Sequence, residues 1–206
     1  LIESDKNIFD IGALSISNII EFKPINKKDF FSRFEIKDEP YCLITFHPET
    51  NAFEENKNYA LEMIKALEFT STKINLVITM PNADNMGKVY REQLYLLKET
   101  MRDKILLIEN FGKENYFSAM YYADFLLGNT SSGIIEAGSF RKYVINVGDR
   151  QKGRAQSDNI INVPFDVSPI RLAVLATLEK GVFKGENIYF KKEVAENIIK
   201  IIKKHS

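Results

Sequence analysis

Cysteine, histidine and tryptophan are scarce in this sequence, whose 206 residues include one cysteine, two histidines and no tryptophan. Cys42 lies inside the apolar run YCLITF, and the chain has no second thiol with which it could form a disulfide. This pattern is typical of a buried small apolar residue in a reducing compartment, so we expect a cytoplasmic protein. Because two isolated histidines and one cysteine lack the ligand spacing of a zinc site, we expect neither a metal nor a cofactor.

Long apolar runs and an excess of charge of one sign are also missing. No segment approaches the ~18–20 consecutive apolar residues that span a bilayer. Lys+Arg and Asp+Glu number 28 each, so the chain has no net field that would attract nucleic acid or an anionic membrane. We therefore expect neither nucleic acid nor a membrane as a partner, and any anion site must be local.

Several catalytic motifs are absent as well. Without a G-x-x-x-x-G-K-[ST] segment the chain has no P-loop, and no G-x-G-x-x-G follows the first predicted strand, which argues against dinucleotide redox chemistry. The segment TSSGI does not supply the G-x-S-x-G turn of a serine hydrolase.

From residue 41 onward, short apolar runs alternate with amphipathic segments. The predicted strands cover residues 41–46, 74–80, 104–109, 124–129, 142–148 and 159–163. The predicted helices cover residues 54–69, 86–102, 114–122, 132–140, 168–180 and 191–204. This alternation predicts an α/β fold, a Rossmann-like doubly wound parallel sheet of about six strands.

The first 35 residues differ from the rest in their hydropathy pattern, with an apolar run near 8–20 and a polar, Phe-containing stretch at 22–35. We expect residues 1–35 to be the end of a preceding domain and a linker, and residues 36–206 to form the Rossmann-like domain. The first residue is Leu rather than Met, and we expect the sequence to be a fragment of a longer protein.

Polar and flexible residues follow the predicted strands. They occur in HPET, PNAD, NFGKENY, GNTSSG and GDRQKGR, one after each of the first five strands. Since ligands of an open parallel sheet bind beyond the carboxyl ends of its strands, these loops predict a site at that edge. His47, in HPET, either contacts a phosphate there or is an ordinary loop histidine.

The segment GNTSSGIIEA has a specific interpretation. The first amides of a helix lack intrahelical partners and can receive a phosphate, to which Thr130, Ser131 and Ser132 add hydroxyl groups. Glu136 would repel a phosphate but suits a diol such as a ribose, because a carboxylate accepts two hydrogen bonds from adjacent hydroxyls. The alternative is that the hydroxyls only cap the helix and that Glu136 only complements its dipole.

The segment GDRQKGR places several cations in one loop. Gly148 and Gly153 let this loop fold inward, so that Arg150 and Arg154 could reach a diphosphate. The alternative is a solvated run of charge.

Four segments occur in a characteristic order and spacing: TFHPET, PNAD, GNTSSGIIEA and VINVGDRQKGR. Together they resemble the C-terminal half of hydrolysing UDP-N-acetylglucosamine 2-epimerases, the enzymes of sialic acid biosynthesis. They also resemble the relatives of those enzymes that act on diacetamido sugars in legionaminic acid biosynthesis. The resemblance implies a two-domain GT-B fold whose C-terminal Rossmann-like domain holds UDP. It also implies a reaction of UDP-N-acetylglucosamine with water that gives N-acetylmannosamine and UDP, by anti elimination and then hydration.

The resemblance also implies roles for single residues. His47 would support catalysis from the diphosphate side, Asn82 would line the cleft near the nucleotide, and the backbone near Phe111 would meet the uracil. The phosphates would bind at Thr130 and Ser131. Glu136 would bind the ribose, and Arg150 would close on the nucleotide.

The acid and base residues of the family belong to its N-terminal domain, so we expect this chain to be inactive alone. Its expected partners are a UDP-sugar and that N-terminal domain, in a full-length homo-oligomer. The alternatives are the donor-binding domain of a GT-B glycosyltransferase, a 2-epimerase for a UDP-diacetamido sugar, and a non-enzymatic Rossmann-like module.

Overall fold

The computed structural model describes residues 8–49, 54–82 and 85–205. Residues 1–7 of the predicted linker lie outside the described residues, as do Thr50 of HPET and Ala83 and Asp84 of PNAD. None of the helices within the described ranges is long and apolar enough to cross a bilayer.

The centre of the molecule is a six-stranded sheet in which every paired strand runs parallel to its neighbour. Its strands are β1 (Tyr41–Thr45), β2 (Asn75–Thr79), β3 (Ile105–Ile108), β4 (Phe125–Gly128), β5 (Tyr143–Val147) and β6 (Ile160–Val163). They lie in the order β3-β2-β1-β4-β5-β6. The predicted doubly wound, Rossmann-like α/β fold is therefore confirmed, and the strand order reverses between β1 and β4.

Helices cover both faces of the sheet. They are α1 (Ser17–Ile20), α2 (Lys27–Phe34), α3 (Asn56–Ser71), α4 (Asn85–Thr100), α5 (Lys113–Tyr122), α6 (Ser131–Ile135), α7 (Val167–Lys180) and α8 (Val194–His205). Short 3-10 helices cover Leu14–Ile16 and Ala137–Phe140.

Two hydrophobic clusters hold the layers together, one on each face of the sheet. Cys42 and Ile44 of β1 pack with α3, α4 and α7, whereas Tyr41 and Leu43 pack on the opposite face with α2 and α5. The alternation follows from the two-residue period of a strand. Because both faces are buried, the strands form continuous apolar runs in the sequence.

Helix α2 was not predicted from the sequence, although its local signals are clear in the structure. Asn26 caps it by accepting hydrogen bonds from the amides of Lys28 and Asp29. Phe30 and Phe31 are buried in the second cluster. Part of the predicted linker therefore packs on the domain that follows it, and the proposed boundary at residue 35 stays a prediction.

The predicted helix over residues 132–140 is not continuous. Helix α6 ends at Ile135, and a tighter 3-10 helix continues from Ala137 to Phe140. The turn closes at Arg141, whose φ of 60° is left-handed and ends the helical path just before β5 begins. Glu136 consequently lies at the junction of two short helices instead of inside one long helix.

Candidate functional site

A cavity of about 410 Å³ lies at the carboxyl edge of the sheet. Thr45 and Thr79, the last residues of β1 and β2, form part of its wall together with the loop after β3. Ser132 and Glu136 contribute from the segment after β4. The cavity therefore lies where the strand order reverses, which is the usual ligand position in an open α/β sheet.

A second, smaller cavity of about 100 Å³ lies at the opposite edge, beside the first residues of β1, β2 and β3. Two of the lysines that line it, Lys37 and Lys98, already donate to backbone carbonyl groups. Two further pockets of about 490 Å³ lie beside Arg154 and beside Phe22, so volume alone does not select the site. We assign the functional site to the 410 Å³ cavity, called the large cavity below, because residues that follow β1, β2, β3 and β4 converge there.

Glu136 is the buried carboxylate of the large cavity, with 8% of its surface exposed. Ser15 Oγ donates a hydrogen bond to Glu136 Oε1 at 2.6 Å. Burial raises the pKa of the Glu136 carboxyl, while the Ser15 hydrogen bond and the charge of Lys113 act in the opposite direction. A carboxylate so poorly hydrated beside an open cavity is suited to accept hydrogen bonds from a ligand.

Hydroxyl groups surround the start of α6. Thr130 caps this helix, since its Oγ1 accepts a hydrogen bond from the Gly133 amide at 3.1 Å. The Tyr116 hydroxyl lies close to the side chains of Thr45, Thr130 and Ser132. Burial raises the pKa of the Tyr116 phenol, although these side chains lower it, so this group stays neutral and can donate.

Asn129 joins the loops that follow β1, β4 and β5. Its Oδ1 accepts from the His47 amide and its Nδ2 donates to the His47 carbonyl, each at 2.8 Å. The Asn129 carbonyl accepts from Arg150 Nη1 at 3.1 Å and from Gln151 Nε2 at 2.9 Å. His47 and Arg150 are thereby held on either side of the residue that precedes Thr130.

Glu49 fixes the loop after β5 from the other side. Its Oε1 accepts hydrogen bonds from the amides of Asp149 at 2.7 Å and Arg150 at 3.2 Å. Gly148 has a φ of 76°, and a Cβ there would lie 2.2 Å from Glu49 Oε1, so no other residue fits.

The structure brings four of the eight predicted site residues to one cavity. His47, Asn82, Phe111 and Glu136 line the large cavity. The ring of Phe111 is buried against Phe34, at a centroid distance of 4.8 Å, so only its backbone can serve a ligand.

The remaining predicted residues lie around this cavity or apart from it. Thr130 contacts Tyr116 at its edge, Ser131 is exposed on the first turn of α6, and Arg150 reaches the Asn129 carbonyl. Arg154 is exposed and lines a different pocket, with Asn146 and Asn162. Its role toward a diphosphate stays a prediction.

Three cavity residues, Ser15, Lys113 and Tyr116, were missed from the sequence. Lys113 and Tyr116 lie in the first turns of the helix that follows β3, a position that could have drawn attention to them. Ser15 carries no such signal, because its contact with Glu136 spans 121 positions of sequence. Within the described ranges no three His, Cys, Asp or Glu side chains cluster closely enough to hold a metal ion.

The chain is similar to known proteins. A sequence profile of the UDP-N-acetylglucosamine 2-epimerase family matches residues 1–203. The GDP/UDP-N,N'-diacetylbacillosamine 2-epimerase (hydrolyzing) of Campylobacter jejuni is 37% identical over 161 residues, which are 78% of this chain and 42% of the relative. The UDP-N,N'-diacetylbacillosamine 2-epimerase (hydrolyzing) of Legionella pneumophila is 30% identical over 98% of this chain and 52% of its own length.

Solved structures have the same fold at lower identity. The UDP-GlcNAc 2-epimerase of Methanocaldococcus jannaschii in complex with UDP-GlcNAc and UDP superposes with a TM-score of 0.71 at 13% identity, over 98% of this chain and 56% of that one. The Neisseria meningitidis enzyme bound to UDP-GlcNAc gives a TM-score of 0.66 at 18% identity, over 86% of this chain and 49% of that one.

The chain spans about half the length of the curated relatives it matches, and it resembles a C-terminal domain of them. The profile match covers nearly the whole sequence, and the second relative passes 30% identity over almost all of it. The chain belongs to the UDP-N-acetylglucosamine 2-epimerase family.

Proposed function

We propose that this chain is the UDP-binding half of a hydrolysing UDP-sugar 2-epimerase and that the large cavity holds the nucleotide. The single observation that carries the proposal is the buried Glu136 carboxylate in the wall of a cavity at the strand-order reversal. Membership of the epimerase family supports it independently.

In this proposal the ribose donates its hydroxyl hydrogens to Glu136. The diphosphate lies at the start of α6, where Ser132 and the neighbouring amides face the hydroxyl of Tyr116. Positive charge comes from Lys113 and Arg150, and His47 is placed to donate a hydrogen bond. The uracil meets the backbone after β3, near Phe111.

The chemical contribution of this half is stabilisation of the leaving group. When the bond between the anomeric carbon of the sugar and the β-phosphate oxygen breaks, negative charge grows on the diphosphate. Pre-oriented amides, hydroxyls and cations stabilise that charge without reorganising during the reaction. Proton removal at C2 and the later addition of water require groups outside this cavity, so we propose that the chain alone does not turn over substrate.

Two sugars are candidates. The relatives at 37% and 30% identity are named for N,N'-diacetylbacillosamine, whereas the relative from Neisseria meningitidis named for N-acetylglucosamine is 25% identical. This difference favours a UDP-diacetamido sugar, and UDP-N-acetylglucosamine is the second candidate. We further propose a cytoplasmic location, which agrees with the single buried thiol of Cys42.

Calorimetric titration of UDP into the chain tests the binding proposal. We expect weak binding, with a Kd on the order of 0.1–1 mM, and a loss of at least about tenfold in Glu136→Gln. Glu114→Gln is the matched control, since this exposed carboxylate of α5 does not line the cavity. A folded chain that binds no UDP, or equal losses in both variants, would overturn the proposal.

The reaction is tested in a chimera in which the chain follows the N-terminal half of the Legionella pneumophila relative. We expect water alone to release the free 2-epimeric sugar and UDP from one of the two candidate substrates. Turnover only with an added acceptor would instead assign the chain to the glycosyltransferases, and turnover by the chain alone would refute its proposed inactivity.

A further inference from the structure

Among the described residues before α1, 8–16, Ser15 is the one that lines the large cavity. Its hydroxyl donates to Oε1 of Glu136 at 2.6 Å, and the two residues are 121 positions apart in the sequence. The family resemblance assigns a role to Glu136 and none to Ser15. The contact therefore raises the question of what Ser15 does for the site.

The segment that carries Ser15 is fixed from several sides. Ile16, the next residue, is fully buried. The Ala13 amide donates to the Tyr189 carbonyl at 3.2 Å, and a Cβ on Gly12 would lie 2.8 Å from that same carbonyl oxygen. Lys191 also forms an ion pair with Asp10 at 2.6 Å. The backbone that carries Ser15 is thus held in place by contacts that do not involve Glu136.

The hydrogen-bond donors and acceptors of Ser15 and Glu136 determine which ligand groups the two residues can recognise. A serine hydroxyl has one hydrogen to donate and two lone pairs that accept. Because the Ser15 hydrogen is donated to Glu136, the Ser15 oxygen is left as an acceptor at the cavity wall, beside the carboxylate acceptors. Two neighbouring acceptor groups complement two neighbouring hydroxyl donors, which is the pattern of a vicinal diol.

We propose that Ser15 is a positioning residue of the ribose subsite, which orients the Glu136 carboxylate and adds an acceptor for one of the two ribose hydroxyls. This inference rests on the proposed function, because it takes UDP as the ligand of the cavity. If Ser15 has this role, selectivity for a nucleotide with both ribose hydroxyls over one that lacks them depends on a residue that lies before β1.

The electrostatics of the site agree with this role. Burial raises the pKa of Glu136, and the hydrogen bond from Ser15 is the largest influence that lowers it again. Ser15 therefore helps to keep the carboxyl ionised, the form in which both of its oxygens accept.

The test compares UDP with 2′,3′-dideoxy-UDP, which lacks both ribose hydroxyls, by calorimetry on the whole 206-residue chain. We expect the wild type to prefer UDP by about tenfold or more, as for loss of hydrogen bonds to a charged group. Ser15→Ala should weaken UDP binding by about tenfold and leave the dideoxy nucleotide within about twofold, so that the preference collapses. Ser15→Thr should restore it.

Ser17→Ala is the matched control, because this half-buried serine lies two positions further along and does not line the cavity. It should retain the wild-type preference. A Ser15→Ala protein that keeps the preference, or that loses affinity for both nucleotides equally, overturns the positioning role while UDP binding by the wild type still stands. A wild-type chain that binds no UDP overturns the proposed function itself, and the role of Ser15 with it.

Discussion

Glu136 combines a proposed role in binding with an energetic cost to the fold. Its pKa is raised above the ordinary value of 4.5, chiefly by burial, so the folded chain holds the proton more tightly than the unfolded chain. The protonated Glu136 carboxyl therefore contributes to the stability of the fold at low pH, and this contribution is lost as the pH rises through the pKa of the folded state. At neutral pH the ionised carboxylate destabilises the chain, and we read this cost as the consequence of keeping an acceptor ready for a ligand.

Replacing Glu136 with Gln should make the chain more stable at pH 7, by an amount on the order of 1 kcal/mol or about 2–4 °C in Tm. The gain should disappear below pH 4.5, where the wild-type carboxyl is protonated in both states. Thermal unfolding of the wild type and the variant, followed by circular dichroism at pH 7 and below pH 4.5, measures the difference in Tm.

Glu109→Gln supplies a control of opposite sign. The hydrogen bond from Arg91 lowers the pKa of Glu109, so its stabilising effect is present at neutral pH and lost as the pH falls. This variant should be slightly less stable than the wild type at pH 7, and only slightly because the pair is exposed to water. Equal behaviour of the two variants would contradict the assignment of burial as the cause at Glu136.

At the scale of elements, Asn129 determines how the strand-end loops meet. It is fully buried, and its side chain satisfies both backbone groups of His47. Asn129→Ala would remove both of these buried hydrogen bonds, and we expect a loss of about 2–3 kcal/mol in the free energy of unfolding, measured by urea denaturation. Asn58→Ala, at an exposed site of α3, should cost less than about 1 kcal/mol. Similar losses in both would show that Asn129 has no special structural role.

The end of β4 can accept no side chain. Gly128 has a φ of 154°, and a Cβ there would lie 2.0 Å from the Thr45 carbonyl oxygen of β1. Gly128→Ala should cost more than about 3 kcal/mol, because backbone would have to move. Gly153→Ala, at a φ of 84° with open space around it, should cost only about 1 kcal/mol of backbone strain. A Gly128→Ala chain with an unchanged Tm would contradict the packing of β1 on β4.

The elements that could be predicted from sequence are those with a local cause. All six strands were predicted, and the central ones are continuous apolar runs because they are buried on both faces. Helix α2 was missed because its buried Phe30 and Phe31 lie among charged residues in a stretch that reads as a linker. The break at Glu136 was missed because the left-handed turn at Arg141 depends on the path into β5, which no local pattern records.

For the site as well, residues with a local sequence signal could be predicted, and contacts that only the fold creates could not. Glu136 stood out as a lone carboxylate after a glycine- and hydroxyl-rich turn, and it lies in the cavity wall. Arg154 shared its loop with Arg150, yet Arg150 reaches the Asn129 carbonyl whereas Arg154 lines the pocket of Asn146 and Asn162. Ser15 could not be predicted, because only the folded chain brings it to Glu136.

At the scale of the whole molecule, the described residues before β1, 8–40, pack on the domain that follows them. Phe30 is fully buried, with Phe111 stacked on it at a centroid distance of 5.9 Å. We expect deletion of residues 1–35 to prevent stable folding, and Phe30→Ala alone to cost about 3–5 kcal/mol. Chemical denaturation measures both. A chain that starts at residue 36 and melts at the wild-type temperature would place the domain boundary where the sequence predicted it.

The most direct test of the account is a crystal structure of the chain with UDP. We predict ribose hydroxyls within hydrogen-bond distance of Glu136, phosphate oxygens at residues 130–132, and uracil beside the backbone of Phe111. UDP bound instead in the pocket of Asn146, Arg154 and Asn162, with no ligand beside Glu136, would contradict the account.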